Sequence, residues 1–289
     1  MDGQKSSPVG ILVADRLLKF RRIKMQRRFT KLRASWLFVG FASLVVSLIG
    51  ILRPGIYDGV VSTDIVPGVF SQDIFAIVAS LALVVLALRV NERDTKKQVT
   101  ILGLLGFFFY AYGLYVIEQV YTVAHLGYMA IFGVASFSIP FTIWSIRWDE
   151  VSNVSLPDNL RLGSLTALVI TPLIFVPLWV GRLIPLIQSG DRIEFTFSVM
   201  IIDLCFIMPG FAIVAYKTFH REKAGTLLAP ALFILGFFIL APLALAELLK
   251  PLAYDSTIEV GPFGLYSAFS IGYVILTILS LRKIKFSSG

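Results

Sequence analysis

The stretch VTILGLLGFFFYAYGLYVIEQ, Val99 to Gln119, decides the fold. It carries no charge before Glu118, and it approaches the roughly 20 apolar residues that cross a bilayer as a helix. Apolar side chains cover all of its sides, whereas a surface helix of a soluble domain keeps a polar face. The run does not alternate either, so a strand of a transmembrane barrel is excluded.

Seven further stretches share this character: Ser35 to Leu52, Asp73 to Leu88, Ala124 to Ile146, Leu162 to Ile187, Phe195 to Tyr216, Thr226 to Leu249 and Val260 to Leu281. Only Val120 to Val123 separate the third span from the fourth, which leaves a re-entrant hairpin as the alternative there. Over 289 residues, 57% are hydrophobic and 15% charged, with a mean hydropathy of +0.83. Soluble domains hold about 45–50% apolar and about 25% charged residues, so a water-soluble enzyme is excluded. A disulfide scaffold is excluded as well, because Cys205 is the sole cysteine.

The predicted fold class is all-α, a polytopic bundle of eight transmembrane helices that divides into two four-helix halves. The expected organisation is a basic tail over residues 1–34, a first half over 35–147, a linker over 148–161, a second half over 162–282 and a tail over 283–289. With an even number of spans, both termini share one face. That face holds 22 of the 26 Lys and Arg residues, ten of them before Ser35. The other face has Arg53, Arg182, Arg192 and Lys250. The asymmetry predicts cytoplasmic termini in the cell membrane, and it accounts for the net charge of +8 without nucleic acid as a partner. The first span follows a long basic tail with no A-x-A-like site, so it is expected to stay as a helix rather than be cleaved. Asn153-Val154-Ser155 matches a glycosylation acceptor, but the predicted topology places it on the cytoplasmic side.

The segment from Ile11 to Leu32 draws as an amphipathic helix. Ile11, Ala14, Leu18, Met25, Phe29 and Leu32 share a face, away from Arg16, Lys19, Arg27 and Lys31. Such a helix lies in the interface and attracts anionic lipids; the plainer reading is a basic run that only fixes orientation.

A shift of 130 residues aligns the second and third spans with the sixth and seventh. Asp73 falls on Asp203, and Gly106-Phe107-Phe108 on Gly236-Phe237-Phe238. Glu118 and Glu247 follow at an offset of 129, as Arg53 and Arg182 precede. Each half has an even number of spans, so this is a parallel repeat.

Ionisable side chains are costly in hydrocarbon, and they mark sites or ion pairs. Asp203 sits eight residues into its span, about 12 Å deep. Asp73, Glu118, Glu247, Arg53 and Arg182 fall in the same outer half; the third span adds Tyr110, Tyr112, Tyr115 and Gln119, and Tyr121 and His125 follow. Asp203, the other five charged residues, Tyr112 and Tyr115 form the candidate pocket, suited to a cation, a zwitterion or a lipid head group. The structural alternative pairs the arginines with the carboxylates, Arg53 with Asp73 or Glu118 and Arg182 with Asp203 or Glu247, and places the tyrosines in an interfacial belt. Pro140, Pro172, Pro177, Pro185, Pro209 and Pro242 are expected to kink or interrupt their helices. No P-loop, G-x-G-x-x-G or H-E-x-x-H is present. His125 and His220 fall on opposite faces, and Cys205 reads as an inert buried hydrophobe. No catalytic set, cofactor or metal site is therefore expected.

Gln72-Asp73, the run Gly106 to Tyr112, the run His125 to Gly133 and the run Asp203 to Gly210 resemble a group of prokaryotic membrane proteins of about eight helices, known mainly as hypothetical. The resemblance implies the topology and the prominence of Asp203; it brings no activity with it. Three functions fit the residues: a small-solute or ion transporter, a non-enzymatic lipid- or partner-binding accessory protein, and an intramembrane lipid-modifying enzyme with Asp203 and a glutamate as acid and base.

The topology is open to a direct check. In a Cys205→Ser background, Ser6→Cys and Ser288→Cys are expected to resist a membrane-impermeant thiol reagent in intact cells, and their labelling would reverse the orientation.

Overall fold

In the computed structural model, which describes residues 8–148, 153–253 and 257–287, eight helices are long and apolar enough to cross a membrane. α1 runs without a break over Pro8–Leu52, and its membrane-length portion begins at Phe29. The amphipathic face drawn over Ile11 to Met25 lies outside the described side chains. α2 spans Val66–Arg89, α3 Thr95–Ile117 and α4 His125–Ser145. α3 and α4 are two complete helices, which removes the hairpin alternative. α5 spans Asp158–Ser189. The next span is composite: α6 over Phe197–Ile202, a π turn over Asp203–Ile207, and α7 over Met208–Phe219. α8 covers Lys223–Ala253 and α9 Val260–Lys283.

Pro209 explains the composite span. Its ring excludes the carbonyl four residues earlier, at Cys205, from normal helical geometry. The chain widens by one residue, and the Met208 N–H reaches back five positions to the Asp203 carbonyl. π turns of this kind recur at functional sites. The other prolines do not interrupt their helices. α4 continues through Pro140, α5 through Pro172, Pro177 and Pro185, and α8 through Pro242.

Helix pairing repeats between the halves. α1 packs on α2 and α4, α2 on α3, and α3 on α4; likewise α5 packs on α7 and α9, α7 on α8, and α8 on α9. Across the middle, α3 lies against α8, while α2 meets α8 and α6 meets α3. Each pairing has its counterpart under the 130-residue shift, and α3 against α8 is its own counterpart.

The two central helices approach closely because small residues line the seam, as membrane interfaces favour. A Cβ on Gly103 would lie 2.7 Å from the Ala231 carbonyl oxygen and from Ile234 Cβ. At Gly236 it would lie 2.5 Å from the Tyr273 ring of α9. On the face of the termini, strand β1 (Asn153–Ser155) pairs antiparallel with β2 (Lys285–Ser287), joining the inter-half linker to the C-terminal segment. Leu227 and Ile284 are buried beside this pair, with Trp148, Val154 and Leu156 packed around them.

Gly103 tests the seam. Gly103→Ala forces a methyl onto backbone and should cost about 1–3 kcal/mol, lowering the melting temperature in detergent. Gly106→Ala meets only Leu235 side-chain atoms at 3.5 Å or more and should leave it nearly unchanged. Equal stability of the two variants would refute the close crossing.

Candidate functional site

The candidate residues resolve into two polar clusters, one in each half, joined by α3. Asp73 enters from α2 and is 2% exposed. Its Oδ2 accepts a 2.6 Å hydrogen bond from the hydroxyl of Tyr57, which stands on the short turn Pro54–Tyr57 after α1. The Ser47 hydroxyl of α1 also faces this carboxylate. Gly50 makes room for the pair, because a Cβ there would collide with Asp73 Oδ2 and lie 2.5 Å from the Tyr57 hydroxyl. Burial, followed by the neighbouring Tyr115 and Asp73, pushes the Tyr57 hydroxyl far above the ordinary phenol range, so it stays protonated and acts as a donor.

Behind this pair lies a tyrosine stack. The Tyr112 hydroxyl is 2.6 Å from Ser43 Oγ and 3.0 Å from Ser47 Oγ. Its ring stacks on Tyr128 at 5.7 Å between centroids, and Tyr115 packs against both. All three tyrosines are buried. They belong to the core rather than to an interfacial belt.

Asp203, at the start of the π turn, is 5% exposed. Trp179 of α5 donates its indole N–H to Asp203 Oδ2 at 2.7 Å, and the Tyr110 hydroxyl of α3 lies beside the same carboxylate. The Arg182 guanidinium sits over the Trp179 ring, 5.3 Å from its centroid. Such a contact is worth roughly 0.5–1 kcal/mol at an exposed site. Tyr266 of α9 continues the cluster toward Glu247 and Lys250.

The expected arginine pairs are not formed. Among the described residues, no ion pair joins Arg53 or Arg182 to Asp73, Asp203, Glu118 or Glu247, and both arginines are exposed. Glu247 instead pairs with Lys250 one turn along α8, at 2.7 Å. Glu118, just past the end of α3, accepts from the backbone N–H of Ser198 at 2.8 Å and from its hydroxyl. It thereby caps the first turn of α6, where the helix dipole favours a negative charge. Cys205 is exposed on the outer side of its helix, not buried.

The structure thus brings Asp73, Tyr112 and Tyr115 into one cluster. Asp203, Arg182 and Glu247 fall in the other, with Glu118 at α6 and Arg53 outside both. Sequence reading missed Tyr57, Trp179 and Tyr266, and it noted Tyr110 on the third span without placing it in the pocket. A signal existed for Tyr110: it sits two residues before Tyr112, about 200° around the helix, and so faces the second half.

No family model, curated protein or solved structure matches the chain.

Tyr57→Phe and Trp179→Phe each remove the single donor nearest a buried carboxylate. Each should lower stability by about 1–3 kcal/mol, read as an earlier thermal transition in detergent, whereas Tyr121→Phe, at an exposed ring, should be silent. Transitions unchanged in both core variants would show that these bonds do not hold the carboxylates.

Proposed function

We propose that this multi-pass membrane protein transports a small solute or ion, using the polar clusters around Asp203 and Asp73 as its binding site. The supporting observation is the company these carboxylates keep. Both lie within membrane spans, at positions related by the repeat, and both are held by neutral O–H and N–H donors rather than by a lysine or arginine. A purely architectural carboxylate in hydrocarbon is best served by a fixed cation. One supported only by neutral donors keeps its capacity to attract a cation or the amine of a zwitterion. The π turn at Asp203 adds to the reading, since broken helices frame many transporter sites. The same reading places the protein in the cell membrane with cytoplasmic termini, from the basic asymmetry, and opens the clusters to the outside. Membership of the prokaryotic eight-helix group resembled by the Asp203 to Gly210 run is part of this proposal.

Asp203→Asn tests it. The native chain is screened in detergent by thermal shift against inorganic cations, small amines and amino acids, and the variant is then measured with whatever binds. Lost binding with an unshifted melting temperature is the expected outcome. Retained binding with a lowered melting temperature would return Asp203 to architecture and end the transport reading.

A further inference from the structure

The seam between α3 and the broken span of the second half runs inward to Asp203 from the face away from the termini, and a contact closes it at each level. Glu118, at the far end of α3, accepts from the Ser198 backbone N–H at 2.8 Å and from the Ser198 hydroxyl. Deeper in, Ile202 seats on Gly113, where a Cβ would lie 2.9 Å from its Cδ1. The Tyr110 hydroxyl then lies beside Asp203, eight residues and about 12 Å along α3 from Glu118. Phe206 sets its ring edge-on against Phe109, with 5.5 Å between centroids, and pins the π turn to α3. Asp203 itself is 5% exposed.

α6 is short, Phe197–Ile202, and α3 is its main neighbouring helix. Both of its ends are loosened. Thr196, just before it, holds a left-handed φ of 67° and gives it no side-chain cap. A β-branched residue there is strained, and such strain persists only where neighbours enforce it, often in switch regions. At the other end the π turn replaces ordinary helical bonding. The cap comes instead from Glu118 on another helix, through Oε1, while Oε2 is buried with no partner among the described residues. A carboxylate left half-bonded gives up less on release to water than one fully bonded. The seam related by the repeat is built otherwise. Phe75 of α2 packs edge-on against Phe237 and Phe238 of α8, and Glu247, in the place of Glu118, turns to Lys250. Rings hold that seam, and α2 passes it unbroken.

We propose that α6 is a gate over the Asp203 cluster, hinged at the π turn and latched shut by Glu118 on Ser198. Release of the latch swings α6 off α3, draws Ile202 out of the Gly113 notch and opens a path to Asp203 from the face away from the termini. Hinges of this kind sit at element ends that absorb backbone change. The inference rests on the transport reading of the Asp203 cluster and names the segment that admits the solute.

The test uses the full chain with Cys205→Ser, reconstituted in lipid nanodiscs so that both faces meet water, and a charged methanethiosulfonate as the probe. Ile202→Cys, at a position 1% exposed, reports the gate; Ala215→Cys, at a buried position of α7 beyond the π turn, reports the rest of the span. With Glu118 in place both should react slowly. Glu118→Ala should speed reaction at Ile202→Cys about tenfold, the shift in open population that one lost hydrogen bond to a charged group implies, and leave Ala215→Cys unchanged. Glu118→Gln, whose amide oxygen still accepts both bonds, should stay near the native rate. Ser198→Ala, which removes one donor, is the milder variant if Glu118→Ala does not fold, and it should move the rate the same way. Unchanged reaction at Ile202→Cys in a folded Glu118→Ala or Ser198→Ala chain would overturn the latch, and equal acceleration at Ala215→Cys would overturn the hinge. No solute enters the measurement, so the gate can fail while the Asp203→Asn binding result stands, and the reverse.

Discussion

A carboxylate in hydrocarbon must find hydrogen-bond donors or a cation, and much of this bundle is arranged around that requirement. An Asp at the centre of a membrane helix costs about 2.5–3.5 kcal/mol on insertion scales. Hydrogen bonds to a charged group return about 1.5–3 kcal/mol each. A pair of donors on each of Asp73 and Asp203 is therefore of the right size to offset the cost. Supplying them dictates local structure. The chain after α1 turns back through Pro54–Tyr57 so that Tyr57 reaches inward, and position 50 must be glycine-sized to admit it. On the other side, α5 presents Trp179 toward the π turn.

The same need explains the central position of α3. It is buried along most of its length, and its tyrosines serve both halves: Tyr110 toward Asp203, Tyr112 and Tyr115 toward the Asp73 cluster. Such a helix tolerates no intervening lipid, so it must lie tightly against its counterpart α8, and the Gly103–Ala231 approach allows that. The halves are alike in helix pairing and unlike in detail. α2 passes Asp73 as a regular helix, with Ala79 where the second half has Pro209. Among the described residues only the second half carries the widened turn, and there the backbone beside the aspartate is loosened from ordinary helical bonding.

The eight spans were legible because continuous apolar runs of this length have no other stable use. Asp73 and Asp203 were legible because charge in such runs is rare. Their partners were not. Charge-pairing logic pointed to Arg53 and Arg182, yet both lie near helix ends, where a long side chain reaches water and has no need of a buried carboxylate. The true donors, Tyr57 and Trp179, are neutral aromatics: Tyr57 stands on the turn after α1 and by composition resembles an ordinary interfacial anchor, and Trp179 lies ten residues inside the end of α5. Cys205 was a plain misreading of the period: two residues from a buried Asp203 is the opposite side of a helix. The π turn was signalled by Pro209, but other membrane prolines of this chain leave their helices continuous, and sequence alone does not separate the two cases.

The distinction between a cation and a neutral donor beside a carboxylate decides what that carboxylate can do. An aspartate paired to an arginine has its charge already balanced, and a second cation arriving would have to displace the first at the full cost of desolvating it. An aspartate held by a tyrosine hydroxyl and a serine, or by an indole and a tyrosine, has its lone pairs engaged but its charge unbalanced. An incoming cation then gains Coulomb energy in a medium of low dielectric, and the displaced donors are left as neutral dipoles, whose desolvation is far cheaper than that of an ion. On these grounds exchange at such a site would be reversible, as the proposed transport requires. The residues that would give way are Tyr57, on the turn after α1, and Trp179, ten residues before the end of α5.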